Sequence, residues 1–313
     1  MSLKREDVQN HEYYKPILDH GFVVLKDHMG NDDTIAEYAR VSYGQGTKTV
    51  NDNKGLIRYL VKNYHSSPLE SVRFQFILKM PIFVARQHWR HRAFSGNESS
   101  YRFSEASDEF YIPDLEHIQP QSKSNKQGRE GTLSSSDKVL VQQYIKDHSD
   151  SSYEAYKLLL DENKGLGDST YPFSDEYQGL SRELARMTLP VNVYTTMYWS
   201  CDLHNLLKYI RLRNDSHAQY EIRVMAEAMY ELVKEICPHT CQAFEDYWQN
   251  SVSISSMEQE LMKEILDSDF SPKKTWQSIV DINNGIDGVC EKYRMSKREL
   301  KEFCNQWSLT YGL

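Results

Sequence analysis

The sequence predicts an α/β chain, with a few short strands set among longer helices. Two kinds of segment carry this reading. Residues 21–27, 73–80 and 192–200 are compact and rich in β-branched or aromatic side chains, and 73–80 alternates apolar and polar over most of its length. Residues 32–41, 55–64, 139–162, 175–186 and 203–236 instead have helical character. In chain order, residues 1–20 are polar and expected to be loosely held. The segment 81–90 reads as a helix with Pro81 in the tolerated first turn, which makes Gln87 and Arg90 neighbours on one face. Gly96 and Asn97 suggest a turn, and residues 99–104 have no helical stripe and read as extended. Residues 119–138, rich in Ser, Gln, Gly and Lys, are expected to be a surface loop or disordered insert.

The later helices are more specific. Leu203, Leu206, Leu207 and Ile210 form one stripe, with His204, Lys208 and Arg211 on another side. Ser216 and Gln219 match a capping box for the next helix, whose stripe runs through Ile222, Met225, Met229, Leu232 and Ile236 and reads as ordinary core. Beyond residue 250, short helical segments follow, with Ser296 and Glu299 as a second capping box. The expected division is therefore 1–250 as the main domain and 251–313 as a helical C-terminal extension.

A chain of 313 residues with 39% hydrophobic content can build a sizeable core. Its 21 tyrosines suit amphipathic contacts and stacking. No apolar run reaches membrane-spanning length, no signal peptide is visible, and five cysteines form no disulfide framework, so a cytoplasmic protein without a membrane partner is expected. Cys237 and Cys241 lack a second ligand pair, so no metal site is expected.

The richest stretch is Arg90-His91-Arg92-Ala93-Phe94-Ser95-Gly96-Asn97-Glu98-Ser99-Ser100-Tyr101-Arg102. Its arginines can pair bidentately with phosphate, and its carboxylate, amide and hydroxyls can orient a ring. A solvated basic surface is the plain alternative, and an RNA-binding patch is another. Against the latter, the net charge is −8 and the positive charge is local, as a pocket for a small phosphate ester requires. Residues 44–49 lack the spacing of a phosphate-binding P-loop, and no strand-linked G-x-G-x-x-G occurs. Any dinucleotide must therefore be held by another architecture.

The same stretch fits R-H-R-x-x-S-x-N-E-x-S-x-R and so resembles the flavin-dependent thymidylate synthases. The resemblance continues in Ala39-Arg40-Val41-Ser42, His65-Ser66-Ser67-Pro68-Leu69-Glu70, Ala185-Arg186-Met187-Thr188-Leu189-Pro190 and Leu212-Arg213-Asn214-Asp215-Ser216-His217-Ala218-Gln219, and spans about residues 20–248. It implies an α/β subunit with a mixed or antiparallel sheet and long helices, assembled as a homotetramer whose sites draw on several chains. It also implies conversion of dUMP to dTMP, with methylenetetrahydrofolate as one-carbon donor and NADPH reducing a bound FAD. By this resemblance dUMP would be bound by Gln87, Arg90, Glu98, Ser99, Ser100, Tyr101, Arg102, Arg186 and Arg213. Arg213 would act on the uracil ring as the catalytic residue. FAD would be bound by Ser42, His65, Ser67, Arg90, His91, Arg92, Glu98, Asp202, His204, Lys208 and His217. Nucleic acid is not an expected partner. Departures from the common pattern are Phe103 for Tyr, Ser71 for His, and Asp202 and Lys208 where some members place Asn near the flavin.

Overall fold

The computed structural model describes residues 3–42, 52–123, 127–160, 173–174, 176–268 and 271–311. Residues 44–49, weighed above as a phosphate loop, lie outside them, as do 124–126 of the insert and 161, 162 and 175 of the expected helices. The chain divides into two compact units, Met1–Asn250 and Ser251–Leu313.

Five strands organise the first unit: β1 (Tyr14–Ile17), β2 (Gly21–Met29), β3 (Arg73–Pro81), β4 (Ser95–Glu98) and β5 (Tyr194–Asp202). They form one sheet in the order β1-β2-β3-β5-β4, and every pairing is antiparallel. Its helices are α1 (Arg5–Val8), α2 (Asp32–Arg40), α3 (Asn53–Lys62), α4 (Ile82–His88), α5 (Ser135–Leu159), α6 (Arg182–Ala185), α7 (Leu203–Arg213), α8 (Tyr220–Ile236) and α9 (Pro238–Phe244). Along β3 the alternation places Phe74, Phe76, Leu78 and Met80 in the main core with the apolar stripes of α7 and α8. Each such side chain, fully buried, contributes roughly 1.5–3 kcal/mol. The opposite face of β3 buries Lys79, whose Nζ donates to Glu109 Oε2 at 2.7 Å and to the Leu3 carbonyl at 2.9 Å. A buried ammonium requires such partners.

Asp32 locks two helices together. Its buried carboxylate accepts from the backbone N–H groups of His239 and Thr240 and from Thr240 Oγ1, capping the start of α9. Cys237 and Cys241 flank this cap and are packed in the core.

The second unit comprises α10 (Ser256–Leu266), α11 (Pro272–Ile282), α12 (Ile286–Tyr293) and α13 (Lys297–Gln306) around its own apolar cluster. The Ser296–Glu299 capping box is present there.

Several expectations are corrected. Residues 1–20 are not uniformly loose: β1 pairs with β2, and Arg5 donates to the carbonyls of Ile17, Leu18 and Gly21. Gly96 and Asn97 lie in edge strand β4 rather than in a turn. A Cβ on Gly96 would stand 3.0 Å from both the Trp89 and Phe94 rings, so glycine answers a close approach there. Residues 101–104 form a turn, not a strand. Between 176 and 186 only Arg182–Ala185 is α-helical. Gln219, not Ser216, is the N-cap of α8, and no side-chain cap bond forms. The described residues of the insert hold defined structure: Gln121 bridges Arg129, Arg129 pairs with buried Glu221 at 2.7 Å, and α5 already begins at Ser135.

Candidate active site

Pro81 ends β3 and serves as the N-cap of α4. Its fixed φ suits that junction, and α4 then delivers Gln87 and His88 to the arginine-rich crossing that leads into β4. His88 is fully buried, with Nδ1 3.1 Å from Tyr209 Oη and its ring against Trp199, Phe94 and Tyr209. Burial, then electrostatic repulsion from its neighbours His91 and Arg213, lowers its pKa to about 3. His91 is half-buried and meets Tyr209 edge-on, with ring centroids 4.7 Å apart. Burial and then Arg213 lower its pKa to about 4.

Arg213, in the last turn of α7, donates Nε–H to His91 Nε2 at 3.0 Å and Nη2–H to the Gln87 carbonyl at 3.4 Å. Arginine stays protonated, so Nε2 of His91 is the bare nitrogen and Nδ1 carries the proton. The Gln87 amide donates to Gln219 Oε1 at the entry to α8. Residues from α4, the crossing and α7 thus meet at one guanidinium, whose Nη1 has no partner among the described residues, and Gln219 at the entry to α8 joins through Gln87.

A second pair of arginines meets around α6. Arg102 Nη2 lies 3.3 Å from the Glu183 carboxylate, while Arg186 Nε donates to the Glu183 carbonyl at 3.1 Å. Both side chains are exposed. The Ser100 hydroxyl accepts from the Arg102 backbone N–H, and Ser99 is tied to β5 through the Thr196 carbonyl. Tyr101 points inward and gives its hydroxyl to the Tyr194 carbonyl, so its side chain anchors the turn. Glu98 accepts from Trp89 Nε1 at 2.8 Å. Arg90 and Arg92 are exposed.

The remaining residues lie elsewhere in the subunit. Ser42, His65 and Ser67 line a cavity of about 700 Å³ together with Tyr38, Tyr59 and Pro68. The helical turn Ser67–Ser71 at this cavity packs on α7, where Asp202 caps the helix through the Asn205 N–H and Lys208 is exposed. His204 is buried with its ring edge-on to Trp248, and its Nδ1 has no hydrogen-bond partner among the described residues. Burial and Lys208 lower its pKa. His217 is exposed beside Asp215, on a separate cavity of about 710 Å³ that also includes His117, Arg129 and Tyr220. Among the described residues, no hydrogen bond or ion pair joins the Arg213 cluster to His65, Ser67 or His204.

Sequence reasoning missed Gln219 as a site partner, Tyr209 as the ring between two histidines, and Tyr38 and Tyr59 in the cavity wall. Only Gln219 lay within one of the five segments that carry the family resemblance.

Exposed arginines, a guanidinium held by an imidazole and a cavity with Tyr38 and Tyr59 in its wall are groups chemically suited to a phosphorylated nucleotide and a ring cofactor. The comparisons agree in kind. Residues 24–239 match the family model described as Thy1, thymidylate synthase complementing protein. The flavin-dependent thymidylate synthase of Ruegeria pomeroyi is 42% identical over 274 residues, covering 85% of this chain and 87% of the relative. That of Rickettsia bellii is 43% identical over 281 residues, covering 86% and 94%. A crystal structure of the UMP/dUMP methylase PolB from Streptomyces cacaoi bound with 5-Br UMP superposes with a TM-score of 0.63 at 30% identity, covering 77% of this chain and all of that one. The chain belongs to the family of flavin-dependent thymidylate synthases. It is an FAD-dependent methyltransferase of dTMP biosynthesis.

Proposed function

We propose that Arg213 is the residue that acts on the uracil ring of dUMP, and that Arg102 and Arg186 hold the phosphate. The observation that carries this is the clamp on Arg213. Two of its nitrogens are engaged by His91 and Gln87, leaving Nη1 without a partner among the described residues. A guanidinium fixed before the substrate arrives stabilises charge developing on the ring without reorganising. Gln87 and Gln219 stand beside it as amides for ring edges. Arg102 and Arg186 offer charge-assisted donors, with Ser99 and Ser100 on the adjoining turn. Ser100 is read as a positioner, since no activating base adjoins its hydroxyl among the described residues.

The residues present fit FAD. The cavity at Ser42, His65 and Ser67 has the size of a small-molecule site and aromatic walls, and the buried His204 Nδ1, without a partner among the described residues, lies on the neighbouring helix. Those residues would hold the cofactor, with Asp202 and Lys208 near them and with Arg90, His91, Arg92, Glu98 and His217 supplied at its other end. When bound, FAD reduced by NADPH supplies the hydride that completes the methyl group donated as methylene by methylenetetrahydrofolate. The protein's own part is to hold the rings in register, keep His91 neutral and keep the phosphate in place.

That no hydrogen bond or ion pair joins the Arg213 cluster to His65 or Ser67 among the described residues supports sites shared between chains of a homotetramer. The unpaired cysteines support a cytoplasmic enzyme. Unit Met1–Asn250 is read as the synthase domain and Ser251–Leu313 as an appendage. Chromatography of reactions with dUMP, methylenetetrahydrofolate, NADPH and the flavin-loaded protein tests the reading. dTMP should form only when all are present, and Arg213→Ala should lower it by about 10²–10³ while dUMP still binds.

A further inference from the structure

We propose that α12 and α13 form a helix-turn-helix that docks α13 on double-stranded DNA. The two helices are joined by three residues, Arg294-Met295-Ser296, the length such a motif uses. Arg294 ends α12 in the left-handed region, at φ 56°, where glycine is the usual occupant. Met295 turns into the core, and Ser296 caps α13 while Glu299 returns the bond. Val289 and Tyr293 from α12 and Leu300, Phe303 and Cys304 from α13 share one apolar cluster with α10 and α11. The start of α12 is fixed as well: a Cβ on Gly288 would fall 1.7 Å from the Asn283 carbonyl.

Packing leaves the other face of α13 uncovered. Lys297, Arg298, Lys301, Glu302 and Asn305 lie there, all exposed. That face carries neither an apolar side chain, as a protein-docking helix would, nor an aromatic ring on which single-stranded bases stack. It presents cations and an amide on a convex rod of major-groove width, the chemistry that meets phosphates and base edges. Charge is distributed to match. Residues 292–301 hold Lys292, Arg294, Lys297, Arg298 and Lys301 against Glu299 alone, whereas 251–291 hold eight acids and three lysines. The whole-chain charge of −8 conceals this local stretch.

Four of the five cations already have partners: Lys292 with Glu264 at 2.8 Å, Arg294 with Glu260 at 3.5 Å, Lys297 with Asp287 at 2.6 Å and Arg298 with Glu302 at 2.8 Å. All four pairs are exposed, and such pairs are weak enough for phosphate to displace. Lys301 has no ion pair among the described residues.

The test is fluorescence anisotropy of the full-length, flavin-loaded protein with a labelled random-sequence DNA duplex of about 40 base pairs, at about 50 and 200 mM KCl. Binding should weaken steeply with salt. Arg298→Ala combined with Lys301→Ala should weaken it at least about tenfold and lower the salt slope by about 1 for each phosphate no longer neutralised. Glu302→Gln, which releases Arg298, should tighten it, and dTMP formation should be unchanged in every variant. Absence of salt-dependent duplex binding overturns the proposal. So does equal binding by the wild type and both variants, a preference for single-stranded RNA over the duplex, or capture of a protein partner without DNA binding.

Discussion

Arg213 donates its Nε–H to Nε2 of His91 across 3.0 Å, so the arginine assigned to uracil is aimed by an imidazole that must stay neutral. His91, assigned by resemblance to the flavin, thus has a second task within its own chain.

That task gives a pH dependence. The pKa of His91 is lowered to about 4 and that of His88 to about 3, against an ordinary value of 6.5. Because both are depressed on folding, the unfolded chain takes up protons first as pH falls. The stability they contribute is complete above about pH 6.5 and is lost as pH falls through about 4 and then 3. Urea midpoints measured from pH 7.5 to 4.5 should therefore decline. His91→Gln keeps an acceptor but does not titrate, and it should decline less steeply. Parallel curves would mean that His91 is not buried neutral.

Arg213→Ala should lower dTMP formation by about 10²–10³, the usual range for removing a donor that stabilises developing charge. NADPH oxidation by the flavin should fall much less. Stopped-flow absorbance separates the two half-reactions, and equal losses would reassign Arg213 to flavin binding or to folding.

Phosphate recognition is tested at Arg102 and its neighbour. Arg102→Ala should weaken dUMP binding by about 1.5–3 kcal/mol, the range for a charge-assisted hydrogen bond, with little change in flavin content. Glu183→Gln, by releasing Arg102 from its 3.3 Å ion pair, should leave dUMP affinity intact or raise it. Unaltered calorimetric affinity in Arg102→Ala would remove Arg102 from the phosphate site.

No cysteine is expected to bond covalently to dUMP. Burial raises the thiol pKa of Cys201 to about 12 and of Cys304 to about 11, and raises those of Cys237, Cys241 and Cys290 as well. A nucleophilic thiolate needs the reverse. Mass spectrometry of protein quenched during turnover should show no uracil adduct. A stable adduct, with activity lost in the matching Cys→Ser variant, would replace the hydride mechanism.

Much of this architecture is legible in the sequence, for definite reasons. Strand β3 shows its alternation because one face packs on helices α7 and α8, and those helices show matching stripes, from Leu203 to Ile210 and from Ile222 to Leu232. Edge elements are obscured. Strand β1 contains Lys15 and Pro16, which an edge tolerates and a sequence pattern reads as loop. Gly96 and Asn97 read as a turn because nothing local reveals the Trp89 and Phe94 rings above them. At the site, the arginine motif names the residues but not their partners. The bond from Arg213 to His91 joins positions 122 apart, and the bond from Gln87 to Gln219 joins positions 132 apart. The charge on α13 is hidden because a total over 313 residues averages away a ten-residue cluster.

The central claim is that each site combines the Arg213 cluster of one chain with the Ser42–His65–Ser67 cavity of another. Subunit complementation tests it most directly. Arg213→Ala and His65→Ala, each made separately, should be nearly inactive. After the two are unfolded together and reassembled, mixed oligomers should regain a measurable fraction of wild-type dTMP formation, because some sites then draw both intact residues from different chains. If mixed oligomers are verified by native mass spectrometry and retain flavin, yet activity stays at the level of the separate variants, each site is built within one chain and the account is contradicted.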